Sequence, residues 1–261
     1  MTEESSNRAA AAAGPTPASA EPSAPDPVPA DPAPADPVPA DPVPADPTPT
    51  ARPARASAVA TGRGDDGTTG LLFGGDRIPK DDLRTEAYGT LDEAVAALGL
   101  ARAELDLRRR LDVLPPALAE IEALVLRIQR ELFVAGAELS ANPAAWSRLR
   151  DGVTMVSAEM VAGIDVILAD YEESIELPAE FVVPGETRTS AALELARTIL
   201  RRAERRAVTL ERAGLVPGEH LLAYLNRLAD LLWILARAAE QAEARTATAA
   251  RARVPRSRRA R

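Results

Sequence analysis

The chain predicts an all-α protein, a five-helix bundle. Two observations carry that expectation. Between residues 61 and 244 the apolar side chains recur at helical spacing, and no strand-length alternation of β-branched residues competes with them. That stretch is also long enough for one domain with a core of its own. In order, Asp82 to Leu105, Pro116 to Ser140, Ser157 to Glu173, Thr187 to Ala213 and Pro217 to Ala244 each read as an amphipathic helix. Asp81 or Asp82 can cap the first. The fourth carries a core stripe of Ala196, Ile199, Leu200, Ala203, Ala207 and Leu210. The fifth is leucine-rich but interrupted by Asn226, Arg227, Asp230 and Arg237, so it is too polar to span a bilayer.

Composition bounds the chemistry. Of 261 residues none is cysteine and one is histidine, His220, which excludes disulfides, zinc fingers, iron–sulfur clusters, a cysteine nucleophile and a multi-histidine metal cage. Any metal must then be held by oxygen ligands or brought in on a cofactor, and no residue is singled out as a metal ligand. The net charge of −8 is unevenly distributed, with 3 basic and 8 acidic residues in 1–60 and 7 basic and no acidic residues in 245–261. Residues 1–57 read as a disordered arm, since the first sixty residues hold 15 of the 23 prolines, and Ala-Asp-Pro-X-Pro repeats space Asp26, Asp31, Asp36, Asp41 and Asp46 evenly. Such an arm serves as a solubilising extension or as a tether. Residues 58–244 form the folded domain, and 245–261 an Arg-rich tail expected to be disordered. The N-terminus has neither a basic nor an apolar leader region, so a cytoplasmic location is expected, with no membrane or nucleic acid among the partners.

Three segments hold candidate chemistry. Ahead of the first helix, Thr61-Gly62-Arg63-Gly64-Asp65-Asp66-Gly67-Thr68-Thr69-Gly70 leads towards Arg77-Ile78-Pro79-Lys80, with six glycines in residues 62–75. Backbone amides in such a loop can approach phosphates closely, and Lys80 would stand beside a helix N-terminus; a flexible lead-in turn would look the same. On the fourth helix Arg197, Arg201, Glu204 and Arg205 fall within one quadrant, and stacked arginines need carboxylates or phosphates to neutralise them. Arg202 and Arg206 point elsewhere, as solvated or inter-subunit charges. On the last helix Asn226 and Asp230 share a face among leucines, so one is expected to meet an arginine or a ligand edge. His220 reads as a surface or capping residue.

In order and spacing these segments, with Glu86-Ala87-Tyr88-Gly89-Thr90-Leu91-Asp92-Glu93, resemble the PduO-type ATP:cob(I)alamin adenosyltransferase family over about residues 58–243. The resemblance implies a homotrimer of five-helix bundles of the ferritin-like up-and-down type with sites between subunits, each transferring the 5′-deoxyadenosyl group of ATP to the cobalt of reduced cobalamin and leaving triphosphate. By motif, Thr61, Gly62, Gly67, Thr68, Thr69 and Lys80 would cradle the triphosphate, together with Arg201 and Glu204, with Asn226 at the nucleotide. Arg197 would pair with Asp92 across the interface, and Phe181 would lie against the lower face of the corrin. ATP, Mg²⁺ and cobalamin are the implied cofactors and substrates, and a client mutase and a reductase the implied partners. A second reading is an adenosylcobalamin-binding chaperone or sensor that serves such a mutase. The sequence departs from the family pattern at Glu186, where many relatives have glycine.

The residue types suit the reaction. Cobalt(I) is nucleophilic enough to need no general base, so the protein's tasks are to align it with the ribose C5′ and to stabilise departing triphosphate. An apolar Phe181 that excludes an axial ligand would ease reduction of the cobalt.

Overall fold

The computed structural model describes residues 60–251; the expected arm, and the tail beyond residue 251, lie outside them. Five long helices form the body: α1 (Leu83–Arg110), α2 (Pro116–Ser140), α3 (Ala158–Ser174), α4 (Arg188–Arg212) and α5 (Leu221–Ala242), with a short 3-10 helix at Pro143–Arg148. The all-α expectation holds. Helix starts follow local chemistry: Asp82 accepts from Arg84 N, Ser157 from Met160 N, and Thr187 forms a reciprocal capping box with Ser190. Pro116 occupies the first turn of α2, where its missing N–H costs no hydrogen bond.

Two boundaries differ from expectation. Helix α1 runs past Leu105 to Arg110 because its last turn is held by side chains, with Arg110 Nε bonded to Asp106 at 2.7 Å, Arg108 Nη2 to Glu243 at 2.5 Å, and Arg109 paired with the buried Glu122 of α2. Helix α5 begins at Leu221 rather than Pro217. His220 occupies its N-cap position without a side-chain capping bond.

Helix α1 packs between α2 and α4, and α5 packs against α4, α3 and α2. The expected α4 stripe is buried, joined by Leu193, with Ile199 half-buried at its edge. Helix α5 contributes most to the core, including Leu221, Leu225, Leu228, Leu232 and Leu235, all fully buried. At roughly 1.5–3 kcal/mol for each large apolar side chain removed from water, this helix anchors the bundle.

Among the described residues four two-residue strands, unread in the sequence, decorate the helices. Antiparallel β1 (Thr68–Thr69) and β2 (Ile78–Pro79) pair Thr68 with Pro79 and Thr69 with Ile78, and β3 (Val182–Val183) pairs antiparallel with β4 (Thr248–Ala249). The second pair corrects the expectation of a disordered tail from residue 245. Ala250 N also donates to Phe181 O at 2.7 Å, so the start of the tail is stitched to the Phe181 segment by backbone hydrogen bonds. No described helix is long and apolar enough to cross a membrane.

Candidate active site

The glycine-rich loop is rigidified by its own polar side chains. Arg77 Nε donates to Thr68 Oγ1 at 2.6 Å, and Arg77 Nη2 donates to Arg63 O at 2.7 Å and Thr68 O at 2.8 Å. Asp66 accepts from Thr68 N at 2.9 Å and Thr68 Oγ1 at 2.7 Å, and this bonding to Thr68 holds its carboxyl below the ordinary range. Lys80 N donates to Gly67 O at 2.9 Å, which ties the lysine to the loop. Gly62 and Gly67 have φ of +69° and +78°, the left-handed region that glycine enters without strain. At Gly64 the reason for glycine is different, since a Cβ there would lie 2.9 Å from Lys80 Nζ. Thr61, Gly62, Gly67, Thr68, Thr69 and Lys80 thus belong to one hydrogen-bonded loop beside the N-terminus of α1.

Behind that loop is a cleft of about 490 Å³, lined by Thr69 to Leu72, Tyr88 and Asp92 of α1, and Phe133, Gly136 and Ala137 of α2. The loop is docked there by Leu72 N donating to Ser140 O at 2.8 Å and Asn142 N to Leu72 O at 3.0 Å. Phe133 is 63% exposed, and Asp92 is exposed with no partner among the described residues.

The arginine helix builds a second, larger cleft, of about 550 Å³. Its walls are Arg197, Arg201 and Glu194 from α4, Ala229, Asp230 and Trp233 from α5, and the Pro178–Pro184 segment that presents Phe181. Phe181 is 90% exposed, an uncovered aromatic of the kind that marks a binding surface when it sits in a cleft with converging charges. Arg197 Nε donates to Glu194 Oε2 at 2.6 Å. The Arg201 side chain is exposed and makes no hydrogen bond or ion pair among the described residues, whereas Arg205 turns back to donate to Arg201 O at 3.0 Å. Asn226 Nδ2 donates to Glu204 Oε1 at 3.2 Å, joining the two helices beside the cleft.

Several expectations are corrected here. Asn226 and Asp230 are exposed rather than buried, because the leucine face of α5 points the other way; Asn226 finds a carboxylate, and Asp230 faces the cleft. Arg202 and Arg206 form ion pairs within the chain, to Glu93 and to Glu86 of α1, and Arg206 also bonds Thr90. The pair of Arg197 and Asp92 expected across an interface is not an intra-chain one: within one chain Arg197 pairs with Glu194, and Asp92 lines the other cleft. Glu186 is half-buried and does not line the Phe181 cleft. Trp233 and Glu194 were missed: Trp233 follows Asp230 by three residues on one helix face, a signal the sequence offered, whereas Glu194 needed the packing of α4 on α5.

Comparison with known proteins decides the lineage. A sequence model of the family described as cobalamin adenosyltransferase matches residues 59–239. The chain belongs to the cobalamin adenosyltransferase family. Relatives in this family include a cobalamin adenosyltransferase of Cupriavidus metallidurans, 39% identical over 188 residues (72% of this chain, 91% of that protein). A corrinoid adenosyltransferase of Citrobacter freundii is 36% identical over 182 residues, covering 70% of this chain and 94% of its own. Among solved structures, a variant PduO-type ATP:corrinoid adenosyltransferase from Lactobacillus reuteri, complexed with cobalamin and ATP, superposes with a TM-score of 0.63 at 26% identity, covering 74% of this chain and 96% of that one.

Proposed function

We propose that this chain is an ATP:cob(I)alamin adenosyltransferase that works as a homotrimer, with each active site built from the loop-side cleft of one subunit and the Phe181 cleft of the next. The observation that carries the proposal is the separation of its two halves. Thr61 to Lys80 and Asp92 belong to the α1/α2 side, while Arg197, Arg201, Glu204, Asn226 and Phe181 belong to the α4/α5 side; neither cleft holds residues of both groups. A site needing both is complete only when a second copy brings its own loop to α4, and the exposed Phe133 and the unpartnered Asp92 mark the loop side as a surface to be covered.

In the assembled site the glycine-rich loop and Lys80 hold the triphosphate through backbone N–H groups and a cation, and the free guanidinium of Arg201 offers a planar donor to the leaving phosphate oxygens as charge develops. Glu204 orients Asn226 at the nucleotide through their hydrogen bond. Phe181 covers an apolar face of the corrin and keeps water and ligands from it, and Arg197 meets the partner's Asp92. Cobalamin and ATP are both substrates, and the cobalt supplies the nucleophile, so alignment is the protein's main contribution. Among the described residues no group of three or more Asp, Glu or His side chains is placed to hold a metal ion, and Mg²⁺ would come to the site on the phosphates of ATP. A reductase that supplies cobalt(I) and a client mutase that takes the product complete the setting.

Subunit complementation tests the shared site. Lys80→Ala and Arg201→Ala each abolish turnover while the trimer persists. After the two inactive variants are unfolded and reassembled together, about a quarter of the sites carry two intact halves, and activity returns in that proportion. Failure of the mixture to regain any activity, with mixed trimers verified by mass, places the whole site within one chain.

A further inference from the structure

Beneath the Phe181 cleft four charges alternate in sign from its wall into the core. Arg197, a quarter exposed, donates through Nε to Glu194 Oε2 at 2.6 Å; the other oxygen of Glu194 lies 3.3 Å from Arg237 Nη1; and Arg237 Nη2 donates to Glu240 Oε1 at 2.7 Å. The Glu194 side chain is 4% exposed and those of Arg237 and Glu240 are each 1% exposed. Arg237 also lies under the Trp233 ring, 5.7 Å from its centroid, and Trp233 lines the same cleft. Burial pushes the Glu240 carboxyl up while Arg237 pulls it down.

Ionic groups so deep in a helical core are costly to bury and contribute little to stability compared with apolar residues of the same size. Their arrangement favours a specific use. Each carboxylate oxygen of Glu194 faces a different arginine, and Arg197 makes no other hydrogen bond or ion pair among the described residues. The Nε–H of Arg197 is therefore engaged below, and its two Nη groups are left for whatever enters the site. A lysine at 197 would have no equivalent of that lateral N–H.

We propose that Glu194 is a positioning residue for the adenosyl transfer, acting through Arg197, and that Arg237 with Glu240 is the buried counter-charge that fixes Glu194 at the seam of α4 and α5. This rests on the proposed function above. In the free chain Glu194 sets the direction of the Arg197 guanidinium, so the cleft is pre-organised before substrate or a partner's carboxylate reaches it. A misplacement of about 1 Å in such a group costs on the order of a hundredfold in rate.

The test is a double-mutant cycle on the trimeric enzyme, with anaerobic turnover of chemically reduced cobalamin and ATP as the readout. Glu194→Gln keeps the side chain's shape and removes its charge, and kcat/KM is expected to fall by about ten- to a hundredfold, mostly in kcat. In an Arg197→Ala background the same change is expected to have no further effect, because the path through Arg197 is already cut. An equal loss in both backgrounds, or wild-type kcat/KM for Glu194→Gln, overturns the proposal. Where Glu194→Gln fails to fold, Arg197→Lys tests the same link with the core untouched: activity as low as that of Arg197→Ala supports it, and full activity overturns it. Because wild-type turnover is measured alongside, loss of the function itself shows as inactivity of every sample, the parent included.

Discussion

Glu138, near the end of α2, is 1% exposed and accepts two backbone donors, Val156 N at 2.8 Å and Gly218 N at 3.2 Å, which join the segment before α3 to the α4–α5 connection. Burial raises its carboxyl from 4.5 to about 7, a push that Asp151 reinforces and that the two N–H donors and His220 oppose. Between those two values the folded chain holds a proton that the unfolded chain has released, so folding takes up a proton. The contribution of the neutral carboxyl is complete below pH 4.5 and is lost as pH rises through about 7. At about 1.4 kcal/mol per pH unit, the full span amounts to about 3 kcal/mol. Glu138→Gln cannot titrate, and one of its two oxygen acceptors becomes an amide NH2 donor facing a backbone N–H, a pH-independent cost of about 1–3 kcal/mol. Urea unfolding of both proteins followed by circular dichroism, at one fixed protein concentration, should show wild type losing about 2 to 3 kcal/mol relative to the variant between roughly pH 5 and 8. A difference that stays flat across that range refutes the reasoning.

Three further outcomes are expected. Gly64→Ala places a Cβ 2.9 Å from Lys80 Nζ, so the flexible lysine end is displaced and the KM for ATP rises roughly tenfold with thermal stability unchanged; an unaltered KM contradicts the role given to Lys80. Phe181→Ala, at a position 90% exposed, leaves stability within about 0.5 kcal/mol but depresses corrinoid conversion without weakening ATP binding, as kinetics varied in each substrate would show. Gly75→Ala drives its Cβ into Asn142 Nδ2 at a φ of +93°, and calorimetry should report a loss of about 1–3 kcal/mol; a neutral result means the turn relaxes freely.

The helices were legible because their signals are local. Thr187 and Ser190 cap α4 by side chains three residues apart, and Ala196, Leu200, Ala203, Ala207 and Leu210 mark its buried face by spacing alone. What escaped the sequence depends on distant partners. The last turn of α1 is held by Glu122 and Glu243 from other helices, and β3 finds β4 sixty-six residues away, with only two residues in each. Arg237 read as a polar interruption in a leucine helix, and only the packing of α4 on α5 shows that Glu194 neutralises it. Phe181 and Arg201 stood out in the sequence through the order of linked motifs, whereas the docking of the loop on α2, in a cleft apart from the arginines of α4, depends on contacts between distant segments that no local pattern carries.

Adenosyl transfer itself is tested most directly by mixing the purified protein with ATP, Mg²⁺ and chemically reduced cobalamin without oxygen, beside a control lacking ATP, and following absorbance. Conversion to the spectrum of adenosylcobalamin, with triphosphate released, is the expected result. Binding of both substrates without conversion contradicts the enzyme and leaves a carrier or sensor of the cofactor.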